Sequence, residues 1–536
     1  MARRGRDRIL HRRRRRPQAA HDDNRISALS DDLLLVILRR LDTRTALGAG
    51  LFSRRWARLV RELPAIDFRV DDILPPRYRR LVHLHRASKV TDLHYIVGTA
   101  KVEEAMPDIR RHERRAMRAL TSSVENFLGA QPADDILCRR KVNRLRVEFF
   151  ATNNTGCINR LITKAIDAWG LDDLEAIAKP IYWQNPTIHA FPSQGLCEEQ
   201  LSASRLRSLK LGGCMMLPPL HQHGALTTLV LQDLPMSTPE SAYEGIFTSC
   251  PQLQVLHLIS CQCVDVGELI VDAPMSEMRE LVVDKCDLFT RIGLWALPRL
   301  ERLASLGTRV RFESTSFPCL RQCNIALCLG DRHDPTRQYF ASRTRLKLGM
   351  FLGCTPDITD LVIRFTGADR WIGPSSSSPS SSMLPSLRRL LIADVPRSWD
   401  VSWPRLLLET APCLEILHIH IALPGEEEDE LSGEIPWQPT MLAHHHLREF
   451  VMVGFEGTVR QLYLVRFVLG VCCTALRHVG MFKKGQVRDK GHWDWEMVTQ
   501  QHSEWTDEEK DNTLKQIMTG IPSCSSTASQ FQLVLV

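Results

Sequence analysis

"PQLQVLHL", residues 251–258, decides how the long middle of this chain reads. Leu253, Leu256 and Leu258 follow the order apolar, two residues, apolar, one residue, apolar. The last two alternate with a single residue, so both point to one side of a short strand. The first enters the same core just ahead of it. The triple recurs as Leu206-Leu209-Leu211, Leu226-Leu229-Leu231 and Met278-Leu281-Val283. It returns as Leu320-Cys323-Ile325, Ile358-Leu361-Ile363, Leu387-Leu390-Ile392, Leu414-Leu417-Ile419, Leu447-Phe450-Met452 and Leu476-Val479-Met481. Weaker copies begin at Val142 (with Leu145 and Val147), Leu171 and Leu300. Successive starts lie mostly 20 to 30 residues apart, with longer gaps after Leu171, Leu320 and Leu414.

One such unit cannot close its own core, but stacked units can. Period and strand pattern resemble leucine-rich repeats. The expected fold is therefore α/β, a solenoid curved into a horseshoe. Pro-x-Leu precedes several strands, as in Pro251-Gln252-Leu253, Pro298-Arg299-Leu300 and Pro385-Ser386-Leu387, and proline sets the entry without occupying the ladder. "GPSSSSPSSS" (Gly373 to Ser382) and "GEEEDE" (Gly425 to Glu430) interrupt the array as polar loops between strand signals. Near the end, Thr506 or Asp507 caps an expected helix running to Met518, and "QFQLVLV" reads as a final strand.

Ahead of the array, residues 25–68 read as a three-helix unit. Ser30 is an N-cap, with Asp31 and Asp32 in the first turn, where the helix dipole favours negative charge. Leu33, Leu34, Ile37, Leu38 and Leu41 share one helical face, and Leu35 and Val36 widen it. Asp42-Thr43 opens a second short helix, whose end Gly48 and Gly50 weaken. Ser53 starts a third, carrying Trp56 and Leu59, and Pro64 closes the unit. A segment this short is near the size at which a single core is marginal without a partner. The run Leu33 to Leu38 should then divide, one side packing on Trp56, Leu47 and Leu59 and the other, with Leu29, left for a partner.

The chain has 536 residues and a net charge of +7, 44% of it hydrophobic and 24% charged, which suits a sizeable core. The first sixteen residues carry nine arginines, so the excess charge sits in the tail and the body is near neutral. That argues against a dedicated nucleic-acid binder. Residues 1–24 read as a disordered basic tail in which Arg12–Arg16 is either a nuclear localisation signal or a polyanion contact. The expected location is nuclear, cytoplasmic or both. No apolar run is long enough for a membrane span, and no secretory signal is visible. Sixteen cysteines without an export signal read as reduced and mostly buried, and the sequon Asn153-Asn154-Thr155 as unglycosylated.

The segment Leu29-Ser30-Asp31-Asp32-Leu33-Leu34, then Ile37-Leu38-Arg39-Arg40-Leu41, then Phe52-Ser53-Arg54-Arg55-Trp56 resembles an F-box. Ser30 replaces the family's usual proline, and Phe52 a common leucine or valine. The rest resembles plant F-box/leucine-rich-repeat proteins with an FBD-like C-terminal region, whose body is matched by Leu447 to Phe482. The implied organisation is F-box 25–68, helical connector 69–140, repeats 141–446, and an FBD-like region 447–536 completing the solenoid. The implied role is the substrate-recognition subunit of an SCF-type ubiquitin ligase. Its F-box would dock on a Skp-type adaptor and, through it, a cullin and a RING subunit. The adaptor-binding residues would be Leu29, Ser30, Leu33, Leu34, Ile37, Leu38, Leu41, Leu51 and Trp56.

No chemistry of its own is legible. There is no phosphate-binding glycine loop, no G-x-S-x-G elbow and no H-E-x-x-H. Cys261-x-Cys263, Cys472-Cys473 and Cys319-x-x-x-Cys323 lack complementary pairs at zinc spacing, and Cys323 fills a leucine position. His444-His445-His446 reads as loop, and His418-x-His420 as an exposed strand face suited to a partner. The expectation is no cofactor, no metal and no catalytic residue. In a horseshoe, the residues flanking the inward leucines would meet the substrate: Lys210, Gln232, His257, Asp284, Arg364, Arg389, His418, His420 and Glu449, with Val230, Val282 and Val451. That mixed set suits a protein, whose identity the sequence does not give. Two other readings remain at this point: a repeat scaffold or regulator with a degenerate F-box, and a chromatin binder acting through the tail.

Overall fold

The computed structural model describes residues 26, 28–91, 106–129, 142–152, 155–182, 189–191, 205–215, 224–264, 268–286, 291–314, 317–328, 346–347, 357–366, 372–373, 384–395, 404–422, 444–472, 475–499, 505–519 and 532–535. The basic tail with Arg12–Arg16, Asn153 and Asn154 of the sequon, the serine-rich stretch beyond Gly373, the acidic stretch at 425–430 and Cys473 lie outside them.

The chain is mixed α/β. Fifteen strands, from Ala65–Arg69 to Gln532–Leu535, form one sheet in chain order, and every adjacent pair is parallel. Parallel neighbours need a crossover between them, so each strand is followed by a returning segment. Some of those segments are helices, such as Gly156–Trp169 and Glu240–Ser249. Others hold strands: Glu268–Asp272, Arg291–Ala296 and Arg309–Phe312 make a second, three-stranded parallel sheet, and Leu346–Lys347 pairs with Ile372–Gly373.

Each triple read from the sequence lies just before and within a strand of the main sheet, with its members no more than 3% exposed. Register aligns them: Leu256 lies between Leu229 and Leu281 on the neighbouring strands. Entry into each strand repeats too. Arg207 and Ser208 both donate to the Asp172 carbonyl, at 2.8 and 3.1 Å, and Gln254 and Val255 both donate to that of Thr227, at 2.8 and 3.0 Å. The exit is also shared. Gly213, Asp233, Ser260, Lys285, Gly307, Asp394 and Gly454 all have positive φ, each two residues past the third position of its triple, which is Ser305 ahead of Gly307. A Cβ at Gly213 would sit 2.2 Å from the Ala178 carbonyl oxygen, and one at Gly454 2.5 Å from that of Ile421, so only glycine fits there. One residue further on stand Cys214, Cys261 and Cys286, all buried. The Cys286 thiol points at the Leu258 carbonyl, 3.2 Å away, and that of Cys261 at Leu231, 3.4 Å away. Burial pushes the Cys214 and Cys323 thiols up to about 12, so both stay protonated core groups.

Two boundaries differ from the sequence reading. The sheet starts inside the N-terminal unit, because Leu63, Ile66 and Phe68 are a further buried triple that Pro64 disguised as a terminus. The stretch from 69 to 140 also does more than connect. Helix Met106–Gly129 lays Ala116, Met117, Leu120, Val124 and Phe127 into the same core as the first strands. At the far end, Thr506 caps helix Asp507–Met518 in a reciprocal pair with Glu509, and Gln532–Leu535 pairs with His478–Phe482. Among the elements that escaped sequence reading is an antiparallel hairpin of Gly485–Lys490 and Asp494–Thr499, turning at Gly491 with φ of 80°. Among the described residues, no helix is long and apolar enough to cross a membrane.

Candidate protein-docking surfaces

The N-terminal unit consists of α1 (Asp31–Leu38), α2 (Thr43–Ala49) and α3 (Arg54–Arg61). Each starts on a side-chain cap: Ser30 accepts from Leu33 N–H at 3.4 Å, Asp42 from Thr45 at 2.9 Å and Ser53 from Trp56 at 3.3 Å. Asp31 then ties α1 to α3. It accepts from Arg55 at 2.6 Å and from Arg58, and Arg55 holds its carboxyl below the usual carboxylate range. A Cβ at Gly50 would be tight against Leu47 O at 3.1 Å and in ordinary contact with Ala57 Cα of α3 at 3.5 Å, whereas a Cβ at Gly48 meets nothing within 4 Å. Thr43 accepts from Asp67 N–H at 2.8 Å, fastening α2 to the first strand.

The apolar run does divide, but not along the expected line. Leu34 and Leu38, expected on the docking face, are 0% and 1% exposed and form the core with Ala46, Ala49, Leu59, Val60 and Leu63. Leu29, Leu35, Leu47 and Trp56 are half-buried against it, so Leu29 and Trp56 serve the core first. Leu33, Val36, Ile37 and Leu41 face solvent at 52%, 48%, 39% and 39%, as do Leu51 at 89% and Phe52 at 80%. Ser30 is exposed at the cap. Val36 and Phe52 were missing from the sequence set. A run of six apolar residues hides the helical phase that separates them.

On the main sheet, the strand face away from the triples meets the chain's own hairpin from strand Val255–Ile259 onward. Trp495 packs on Val362, Leu391 and Ala393, with Val487 and Met497 beside it. Its indole N–H donates to His418 Nδ1 at 2.9 Å, which leaves His418 Nε2 to donate to Glu449 at 2.9 Å. That hydrogen bond from His418 holds the Glu449 carboxyl below the usual range. Arg389 spans Asp360 at 3.1 Å and Asp494 at 2.9 Å, with its guanidinium 4.4 Å from the Trp495 ring centre. Arg364 pairs with Asp489 and, at 3.5 Å, Asp394. His257 lies 2.6 Å from Glu280, and its ring meets that of His492 edge-on at 5.7 Å. Burial opposes ionisation of Glu280, yet His257 and Arg302 hold its carboxyl below the usual range.

Four of the sequence-selected residues, His257, Arg364, Arg389 and His418, thus already touch the hairpin. His420 is buried, with Nδ1 3.0 Å from Asp394, and Val282 and Val451 are buried too, so none of the three faces solvent as expected. Toward the N-terminal strands Lys210 pairs with Glu175 at 3.0 Å, Gln232 donates to Asp233 at 2.9 Å, and Val230 is half-buried, whereas Asp284, half-buried too, lies by the hairpin's His492. His444 lies in the loop ahead of strand Glu449–Val453 and acts there as a staple. It donates to Ala411 O at 3.0 Å and accepts from Leu447 N–H at 3.3 Å. Among the described residues, no group of three His, Cys, Asp or Glu is placed to hold a metal ion.

Residues 26–65 match the F-box domain family, a span that ends where the sheet begins. The match supports an F-box protein, and F-box domains typically bind Skp-type adaptors of cullin-RING ligases as non-catalytic adaptors. A comparison with curated proteins returns no match.

Proposed function

We propose that this chain is the substrate-recognition subunit of an SCF-type ubiquitin ligase. The observation that carries it is the uncovered set Leu33, Val36, Ile37, Leu41, Leu51 and Phe52 inside the matched F-box span. A monomer gains nothing from leaving six large apolar side chains of one short unit in water. Covering each contributes up to about 1.5–3 kcal/mol. The sheet is read as a leucine-rich-repeat horseshoe that holds the protein to be ubiquitinated. Support comes from Leu253-Leu256-Leu258-Cys261, which follows the L-x-x-L-x-L-x-x-C order, and from Cys214 and Cys286 at the same place in their units. Residues 447–536 are read as an FBD-like end of that array. Catalysis on this reading is proximity: the chain positions the substrate, and the thioester chemistry belongs to other subunits. Co-purification tests it. The intact chain should retain adaptor and cullin, and Leu33→Asp with Ile37→Asp should lose both. Absence of adaptor from the wild type sinks the proposal.

A further inference from the structure

We propose that the sheet face beneath the hairpin is a binding site for an extended acidic and aromatic segment, with residues 485–499 as its resident, displaceable occupant. The proposal rests on reading this sheet as the partner-holding surface. What the face receives is a short list of groups that another chain can also offer. Asp489 and Asp494 bring carboxylates to Arg364 and Arg389, Trp495 brings an indole, and His492 offers its carbonyl to the Asn324 amide at 2.8 Å.

The receiving side is the deeper one. The Arg364 side chain is 14% exposed while its partner Asp489 is 53%, and Arg389 is 35% against 54% for Asp494. On the two hairpin strands only Trp495 is buried. The hairpin therefore lies on the face as a ligand lies on a receptor. A two-stranded hairpin is marginal in water by itself, so its order depends on that contact. Gly485 allows a close approach at its base, where a Cβ would lie 2.8 Å from Val498 O and 2.9 Å from the Val453 side chain.

The same geometry fixes what displacement must look like. Leu391 and Ala393 are fully buried under Trp495, and lifting the hairpin would bare them. Simple opening is costly, whereas exchange for a segment bearing an aromatic ring and two spaced carboxylates replaces each contact in kind. An occupant held in the same chain competes at high effective concentration, so a free segment binds weakly until the hairpin is loosened.

Two measurements on the full chain decide it. In hydrogen exchange of the wild type, hairpin amides should exchange well before those of strand Arg389–Val395. A labelled peptide of residues 485–499 should bind the Asp494→Ala, Trp495→Ala double variant at least about tenfold tighter than the wild type. Adding Arg389→Glu should abolish that binding. Hairpin amides that exchange only together with the strand would overturn the proposal, as would equal peptide binding by wild type and double variant. Adaptor capture by the double variant should be unchanged. Its loss in the wild type would count against the ligase reading instead.

Discussion

The F-box unit and the far half of the sheet face meet the same problem in opposite ways. Both carry apolar side chains beyond what their own layer can bury. On the sheet, the chain supplies the cover, and Leu391 beneath Trp495 is fully buried. On the F-box, nothing described supplies it, and Leu51 and Phe52 stand 89% and 80% exposed. A covered face adds to the stability of the fold, whereas an uncovered one adds only when a second protein arrives. Charge inserted into each should therefore show up in different measurements.

Leu391→Asp should be the most damaging change, lowering stability by about 4 kcal/mol, because it places an unpaired carboxylate under the hairpin. Thermal unfolding checks it, and a loss under 1 kcal/mol would mean the hairpin is not a real cover. Gly213→Ala comes next, at about 3 kcal/mol, from a left-handed backbone and a clash with Ala178 O. Asp233→Gly, at the equivalent turn without such crowding, should instead be neutral or slightly stabilising.

Acid should weaken the sheet side through His189. It is buried against Phe149 and Phe191, 2.9 Å from Asn159 Oδ1, and burial lowers its pKa to about 4. The folded state thus binds fewer protons than the unfolded one between the ordinary histidine value near 6.5 and 4. Stability should fall by about 3 kcal/mol as pH drops through that window and level off below it. Denaturant titrations at several pH values, repeated on His189→Gln, should show a flatter profile in the variant. Smallest is Gly48→Ala, which meets open space in α2 and should raise stability by about 0.5–1 kcal/mol. A decrease would show that α2 needs the glycine.

Much of this fold is legible in sequence because the triples act locally. Leu253, Leu256 and Leu258 declare a strand and its buried side without reference to anything distant. What depends on distant packing is not legible. "GQVRDKGHWDWEMVT", residues 485–499, gives no strand signal stronger than its charges, and its place on the sheet is set by Arg364, Arg389 and His418 far back in the chain. The candidate docking residues show the same limit. Leu33 and Leu34 are neighbours of one chemistry, yet one is 52% exposed and the other 0%, because α3 packs on a single side of α1.

The most direct test is Leu51→Asp in the full chain, followed by adaptor binding and unfolding temperature. An uncovered docking face predicts that adaptor binding falls by about 100-fold or more while the unfolding temperature stays within a degree or two of wild type. Adaptor bound as tightly by Leu51→Asp as by the wild type would contradict the account.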